Sequence, residues 1–498
     1  SGGTGKVEPI GTITKYYPLL SDETRRVVEE LVENAMTYYE FVSTLVETSE
    51  SYPMDSELSC FALIQSLPYP DSSQKVRARC SESAATRPFC LMRWDHMDPI
   101  PKDHQEEFHL SMEQATSSEP LDWFLVHLYT YAELVSTEPM RTKYHDAQRD
   151  LIKTRPNLHR FSDLLHRREA YLQRFEGDIE AALQSFDRAI ETASEYDDIR
   201  SAAVSLSLKA NTIKEMDVHR ALQLHDEAYS KIADRLTEFD ATYMFAINIG
   251  LTYEVMGEFD LALRFYQKDF EVMSKLLDYP QSNLALIVSR TYCALNKPQQ
   301  ALEWLQSRSA LLQFEDSLLH SYTASALISL GRYDDAASHL VRANKLAIDS
   351  GIDYNVAQYL LARGKYEAAH EEFDSASSSL QEALELSDPQ AQIVVNYALI
   401  ELTRVEIATA VKSRMSGLNE HTSGPWMTRL EEHALERNYH GIRIQHALLK
   451  ADYQAKIGEH DAAIHTLNEA LGISDSPGVK TLRKRMNERL EELEAIPQ

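Results

Sequence analysis

The C-terminal two thirds of the chain alternates amphipathic segments of helical period with short breaks, and the same residue types return around each break. The stretch Ile249–Met273, IGLTYEVMGEFDLALRFYQKDFEVM, is the clearest copy. Its apolar spacing predicts two helices joined by a reversal at Gly257, where a residue tolerating positive φ ends the first helix. Gly250 and Ala262 are small where the two helices cross. Tyr253 and Tyr266 supply bulk, with Tyr266 placed to fill the groove against the next hairpin.

With the turn residue as zero, this pattern asks for alanine at plus five, a large residue at plus nine and a small one at plus twelve. Gly177 is followed by Ala182, Phe186 and Ala189, and Met216 by Ala221, His225 and Ala228. Gly257 is followed by Ala262 and Tyr266, with Asp269 breaking the last place, and Asn296 by Ala301 and Leu305, with Arg308 off pattern. Gly331 gives Ala336, Leu340 and Ala343; Gly364 gives Ala369, Phe373 and Ala376; Gly458 gives Ala463, Leu467 and Ala470. A degenerate copy takes Thr403 as zero, with Ala408 at plus five. From Gly177 to Gly364 successive zeros are separated by 39, 41, 39, 35 and 33 residues.

This spacing resembles the tetratricopeptide (TPR) repeat, whose standard period is about 34 residues. The longer early intervals are similar to the long-period arrays of kinesin light chains and of some bacterial transcription regulators. HEAT and armadillo repeats run to about 40–47 residues but lack this alanine and aromatic spacing. The resemblance implies an all-α fold, a right-handed α-solenoid of about seven to nine helical hairpins. It also implies a concave groove lined by the first helix of each hairpin.

Residues 1–155 read as a helical N-terminal domain without clear repeats. One long helix is expected from Ser21 through Leu45, then segments over Asp55–Leu67, Asp103–Ala115 and Leu121–Val135, with degenerate hairpins towards the end. Residues 156–475 form the solenoid, with one degenerate repeat and an insertion at about 390–438 that includes the polar loop Ser416–Pro425. Residues 476–498 supply a capping helix with Leu482, Met486, Leu490 and Leu493 on one face. The opening Ser1–Lys6 superficially resembles a P-loop but lacks its spacing and reads as a flexible terminus.

Composition narrows the function classes. Among 498 residues there are only 16 Gly and 17 Pro, and no run of β-branched residues bounded by turns, which disfavours an α/β enzyme with phosphate-binding loops. A net charge of −27 argues against nucleic-acid and anionic-membrane partners. The 4 cysteines are too few for a disulfide scaffold, and no signal segment or membrane-length apolar run is visible, so the reading is a soluble cytoplasmic protein.

No catalytic motif stands out, and no cofactor is implied. Cys80, Cys90, His96, His104 and His109 could be assembled into a zinc site, but their intervals are not those of close ligand pairs, so no metal is expected. His225 reads as a packing residue. Groove positions in the TPR family lie thirteen, ten, nine, six, three and two residues before the turn. Carried over, they select Arg167, Arg168 and Arg174, then Lys214, Asn248, Glu254, Arg290, Tyr322, Asn355 and Gln358. The early groove is basic and suits an acidic segment, although these arginines could equally pair with acids of the same array. The Lys/Asn/Asn/Lys/Arg clamp of chaperone-binding members is absent. The expected function is a non-enzymatic scaffold or adaptor holding a peptide or partner protein in the concave groove. The alternative is a ligand- or peptide-sensing module of a signalling or transcription-control system.

Overall fold

A computed structural model describes residues 15–495 apart from 36, 67–74, 77, 89–104, 119, 137–138, 215, 277–281, 308–316, 351, 388–391, 416–423 and 473–476. Ser1–Lys6, Cys90, His96, His104, Arg308 and most of the loop after Met415 lie outside the described residues. The described residues are helical, with no strand among them. They fall into two compact units: Ser1–Thr212 with Gln223–Phe245 and Lys275–Tyr279, and Ile213–Leu222 with Ala246–Ser274 and Pro280–Gln498.

The first unit begins with α1 (Asp22–Asn34), α2 (Tyr38–Ser49), α3 (Glu57–Ser66), α4 (Gln105–Ser117), α5 (Asp122–Val135) and α6 (Met140–Thr154). The single helix expected from Ser21 to Leu45 is two. Ala35 is extended, and Thr37 and Glu40 form a reciprocal capping box that starts α2 afresh. That signature was present in the sequence as Thr-Tyr-Tyr-Glu. α5 and α6 pack as a hairpin, and so do α7 (Ser162–Phe175) and α8 (Ile179–Glu195), which are followed by α9 (Ile199–Ile213). Two helices, α10 (Val218–Arg235) and α11 (Glu238–Val255), then lead to α12 (Phe259–Leu276).

The second unit continues with the hairpins α13 (Ser282–Ala294) and α14 (Pro298–Gln306), α15 (Ser317–Ser329) and α16 (Tyr333–Ser350), and α17 (Asp353–Ala369) and α18 (Phe373–Glu385). Next come α19 (Gln392–Met415) with α20 (Pro425–Glu436), α21 (His440–Lys456) with α22 (His460–Gly472), and α23 (Lys480–Glu494). The first helices of successive hairpins pack on one another from α13 through α15, α17, α19 and α21 to α23, which makes them one layer. Each second helix packs against the first helices on either side, α14 against α13 and α15, α16 against α15 and α17, and α18 against α17 and α19.

One backbone device closes the hairpin turns. Gly177, Gly257, Asn296, Gly331, Glu371 and Gly458 all have positive φ, between 57 and 87°. At each, the next N–H bonds the carbonyl five residues back, as Glu258 does to Tyr253 at 2.9 Å and Arg332 to Leu327 at 2.9 Å. This satisfies carbonyls that a helix end leaves open. The alanines at plus five are fully buried in all seven hairpins once the sixth is placed on its true turn.

That turn is Glu371, not Gly364. Gly364 lies inside α17, and a Cβ there would meet Leu380 Cγ at 2.6 Å. Its equivalent is Gly250, seven residues before a turn, where a Cβ would strike the Tyr266 ring. The repeat consensus has two glycine places, and Gly-Lys-Tyr-Glu-Ala-Ala in α17 imitates the turn motif while filling the crossing place. From Glu371 the pattern is regular, with Ala376, Leu380 and Ala383 fully buried. Thr403 is likewise no turn. It sits mid-helix in α19, fully buried, its hydroxyl donating to the Leu399 carbonyl at 2.8 Å.

The C-terminal hairpins of the second unit return onto its Gly257 turn. Gly441 N–H donates to the Met256 carbonyl at 3.0 Å, and Asn396 Nδ2 to that of Val255 at 3.0 Å. Asp260 accepts from Thr481 N–H at 2.7 Å and from its hydroxyl at 2.6 Å, so α23 is capped by a residue from α12. The face of α23 carrying Leu482, Met486 and Leu493 is buried, in a cluster with Ile444 and Leu467.

Asp269, at the plus-twelve place where the pattern wants a small apolar residue, is 5% exposed and one of its carboxylate oxygens has no partner. Burial pushes its carboxyl up to about 7. A folded-state value above the unfolded one means stability that is full at acid pH and is lost as pH rises through 7. Asp269→Asn is therefore expected to stabilise the protein at pH 8 by up to about 4 kcal/mol and to change little at pH 4. Urea unfolding at the two pH values reads this, and an equal effect at both would contradict it.

Candidate functional site

Of the residues expected in the groove, Arg167 and Arg168 of the first unit are engaged in its interior. Arg167 pairs with Asp163 at 3.0 Å, and Arg168 with Glu133; both acids are almost wholly buried. Asp163 also accepts from Lys15 and from Ser201. Burial alone would raise the Asp163 carboxyl, but Lys15 and Arg167 outweigh it and hold the group below the usual carboxylate range. Arg174 lies half-buried on α7. Arg167 and Arg168 are thus engaged by acids of the same unit, because a buried acid requires a partner.

In the second unit the expected residues do converge. Glu254 accepts four hydrogen bonds: from Arg290 Nε at 2.8 Å and Nη2 at 2.7 Å, from the Tyr266 hydroxyl at 2.7 Å and from that of Tyr397 at 3.0 Å. The remaining Arg290 nitrogen, Nη1, donates to Tyr354 at 2.9 Å and Tyr322 at 3.3 Å. The two charged side chains are buried and paired bidentately, with the tyrosine hydroxyls completing both. Asn248, Lys214 and Asn355 are half-buried but do not line the cleft described next. From the true turn, Asn355 is sixteen residues away, outside the groove places.

Beside this network the layer of first helices encloses a cleft with about 780 Å³ of empty space, its solvent-open mouth included. α13 contributes Arg290 and Cys293, α15 contributes Tyr322, Ser325 and Ser329, and α17 contributes Gln358, Leu361 and Lys365. The far wall is Tyr397, Ile400, Glu401 and Arg404 of α19, with Gln445 of α21 and Arg485 of α23. Glu401 is bound by Lys365 at 3.3 Å and Arg404 at 2.7 Å. Burial would raise its carboxyl, but the two cations hold it below its ordinary value. Gln358 is 4% exposed and its Nε2 has no hydrogen-bond partner among the described residues. Arg485, half-buried, makes no ion pair or hydrogen bond among them either, and burial together with Arg404 lowers its pKa against the opposing pull of Asp452 and Glu488.

Three of these groups were within reach of the sequence. With Glu371 as zero, Gln358 falls at minus thirteen and Lys365 at minus six, and Gln445 falls at minus thirteen from Gly458. The displaced turn hid Lys365. Glu401, Arg404 and Arg485 carried no such signal, since a helix assigned to a degenerate repeat and one assigned to a cap had no groove places.

Burial pushes the Cys293 thiol up to about 11 and that of Cys60 to about 12, which keeps both in the protonated thiol form at neutral pH. His225 is fully buried, with Nδ1 at 3.2 Å from the Ser207 hydroxyl, as its packing place suggests. His109 Nδ1 pairs with the Tyr144 hydroxyl at 2.9 Å. Among the described residues no group of three His, Cys, Asp or Glu could hold a metal, and no helix is long and apolar enough to cross a membrane.

Positive φ at the turns, buried alanines at plus five, glycines at the helix crossings and consecutive packing of the first helices together decide the class. The chain is a TPR-like helical-repeat protein. No family model and no curated protein matches this chain. Among solved structures, similar ones include a Rap protein complexed with competence and sporulation factor, at 16% identity over 67% of this chain and 98% of that one, TM-score 0.39. YrrB, described as a TPR protein with an unusual peptide-binding site, is 20% identical over 43% of this chain and 97% of its own, TM-score 0.27. Yeast Tom70 is 13% identical over 97% of this chain and 96% of its own, TM-score 0.34. The TPR-like assignment rests on this chain's own hairpins.

Proposed function

We propose that this TPR-like protein is a non-enzymatic binding scaffold, and that the cleft of its second unit holds an extended peptide or a segment of a partner protein. The observation that carries the reading is the cleft itself, where six helices of the repeat layer present a polar wall containing unused hydrogen-bonding groups beside a rigid, saturated network. Preformed concave sites with a few placed polar groups are what ligands occupy. The ionisable groups that could have served chemistry pair instead with one another, as Glu254 does with Arg290.

The test is selection of 12-residue random peptides on the full chain, followed by affinity measurement on Ser325→Trp, which places an indole in the cleft. Selected peptides are expected to lose at least about tenfold in affinity, equivalent to about 1.4 kcal/mol, while the melting temperature is retained. Peptides that bind wild type and Ser325→Trp equally would overturn the cleft as the site.

A further inference from the structure

The chemistry of the cleft specifies its occupant more narrowly than shape does; this rests on the binding reading above. The groups left unpartnered are donors: the buried amide nitrogen of Gln358, and the half-buried guanidinium of Arg485, which has no acceptor capacity at all. A buried donor without a partner is costly, so a ligand offering acceptors gains the most here. The charges agree. Arg290 is balanced by Glu254, but Lys365 and Arg404 share the single carboxylate of Glu401, and Arg485 adds a further positive charge whose neighbouring carboxylates, Asp452 and Glu488, are each ion-paired elsewhere, with Arg489 and Lys484. The lining therefore carries an excess of positive charge in a chain whose net charge is −27.

We propose that the cleft takes an acidic peptide segment, whose carboxylates bind Arg485 and Arg404 and accept from Gln358 and Gln445, with Glu401 acting as an internal carboxylate that competes for the same cations. Glu401 neutralises Lys365 and Arg404 while the cleft is free and lowers the affinity for a guest. Its removal strengthens binding, and loss of Arg485 weakens it.

Three probes separate the possibilities by isothermal titration calorimetry on the full chain: N-acetyl hexaglutamate amide, N-acetyl hexaalanine with a free carboxyl terminus, and N-acetyl hexaalanine amide. The expected result is that a peptide carrying carboxylates binds at least about tenfold more tightly than the uncharged one. Hexaglutamate amide reports side-chain carboxylates, and the free acid reports a chain terminus. Arg485→Leu is expected to remove most of that preference, and Glu401→Gln, which keeps the side-chain shape, to raise affinity about threefold or more. Equal binding of charged and uncharged peptides, or no gain in Glu401→Gln, overturns the proposal. So does displacement of hexaglutamate by inorganic phosphate at lower concentration than by glutarate, which would mark a phosphate site. If the peptides found by selection remain sensitive to Ser325→Trp while the carboxylate preference is absent, the scaffold reading survives and only the anionic occupant falls. If no peptide senses Ser325→Trp, the scaffold reading fails first.

Discussion

Arg290→Met should destabilise the protein by about 3–5 kcal/mol, the usual cost of removing one partner from a buried ion pair. The change strands the Glu254 carboxylate, fully buried, with only the Tyr266 and Tyr397 hydroxyls as donors, and leaves Tyr322 and Tyr354 without the guanidinium. Most of that loss comes from the uncompensated charge, not from the missing contact. The combination of Arg290→Met with Glu254→Gln should therefore cost less than Arg290→Met alone, since the amide still accepts from the tyrosines and carries no charge. Urea unfolding of the three proteins gives the comparison. A loss below about 1 kcal/mol for the single change would be the value of an exposed pair and would contradict a dry network.

The second large effect belongs to Gly257→Ala. Its φ is +76°, and an added Cβ would meet the Gly441 carbonyl carbon and the Ile442 nitrogen at 2.8 Å. Both are backbone atoms that cannot swing aside. An L-residue in the left-handed region costs about 1–2 kcal/mol, and forced overpacking adds about 1–3 kcal/mol. Gly331→Ala is the internal control. With φ at +73° and nothing within 4 Å, it should show the conformational cost only. Equal destabilisation by the two substitutions would mean that the contact between the Gly257 turn and the start of α21 yields at no cost.

The repeat was legible because its residues are dictated by local geometry. A turn in the left-handed region wants glycine or asparagine, a helix crossing wants a small residue, and both lie at fixed offsets. The sixth hairpin shows where that logic fails: glutamate occupies the left-handed turn at Glu371, while Gly364 occupies the crossing, so the stronger glycine signal pointed seven residues too early. The start of α2 was readable in Thr37 and Glu40, yet the continuous apolar spacing from Val27 to Leu45 masked it. The groove was legible as positions but not as free groups. Whether Arg168 faces a guest or Glu133 depends on the packing of α5 against its neighbours, which no local pattern encodes. The same holds for Arg290, whose partner Glu254 is 36 residues away in the preceding hairpin.

The return of the last hairpins onto the Gly257 turn bears on how the second unit folds. An open array of hairpins can grow from any point by adding neighbours, each step closing a short loop. Here Asp260 and Thr481 meet across 221 residues. That pairing waits until every intervening hairpin is in place, so it belongs to the last and slowest stage of assembly. Once made, it ties the amide protection of α23 to that of α12, and a helix that would fray alone at the end of an open array opens only together with the hairpin on which the unit begins.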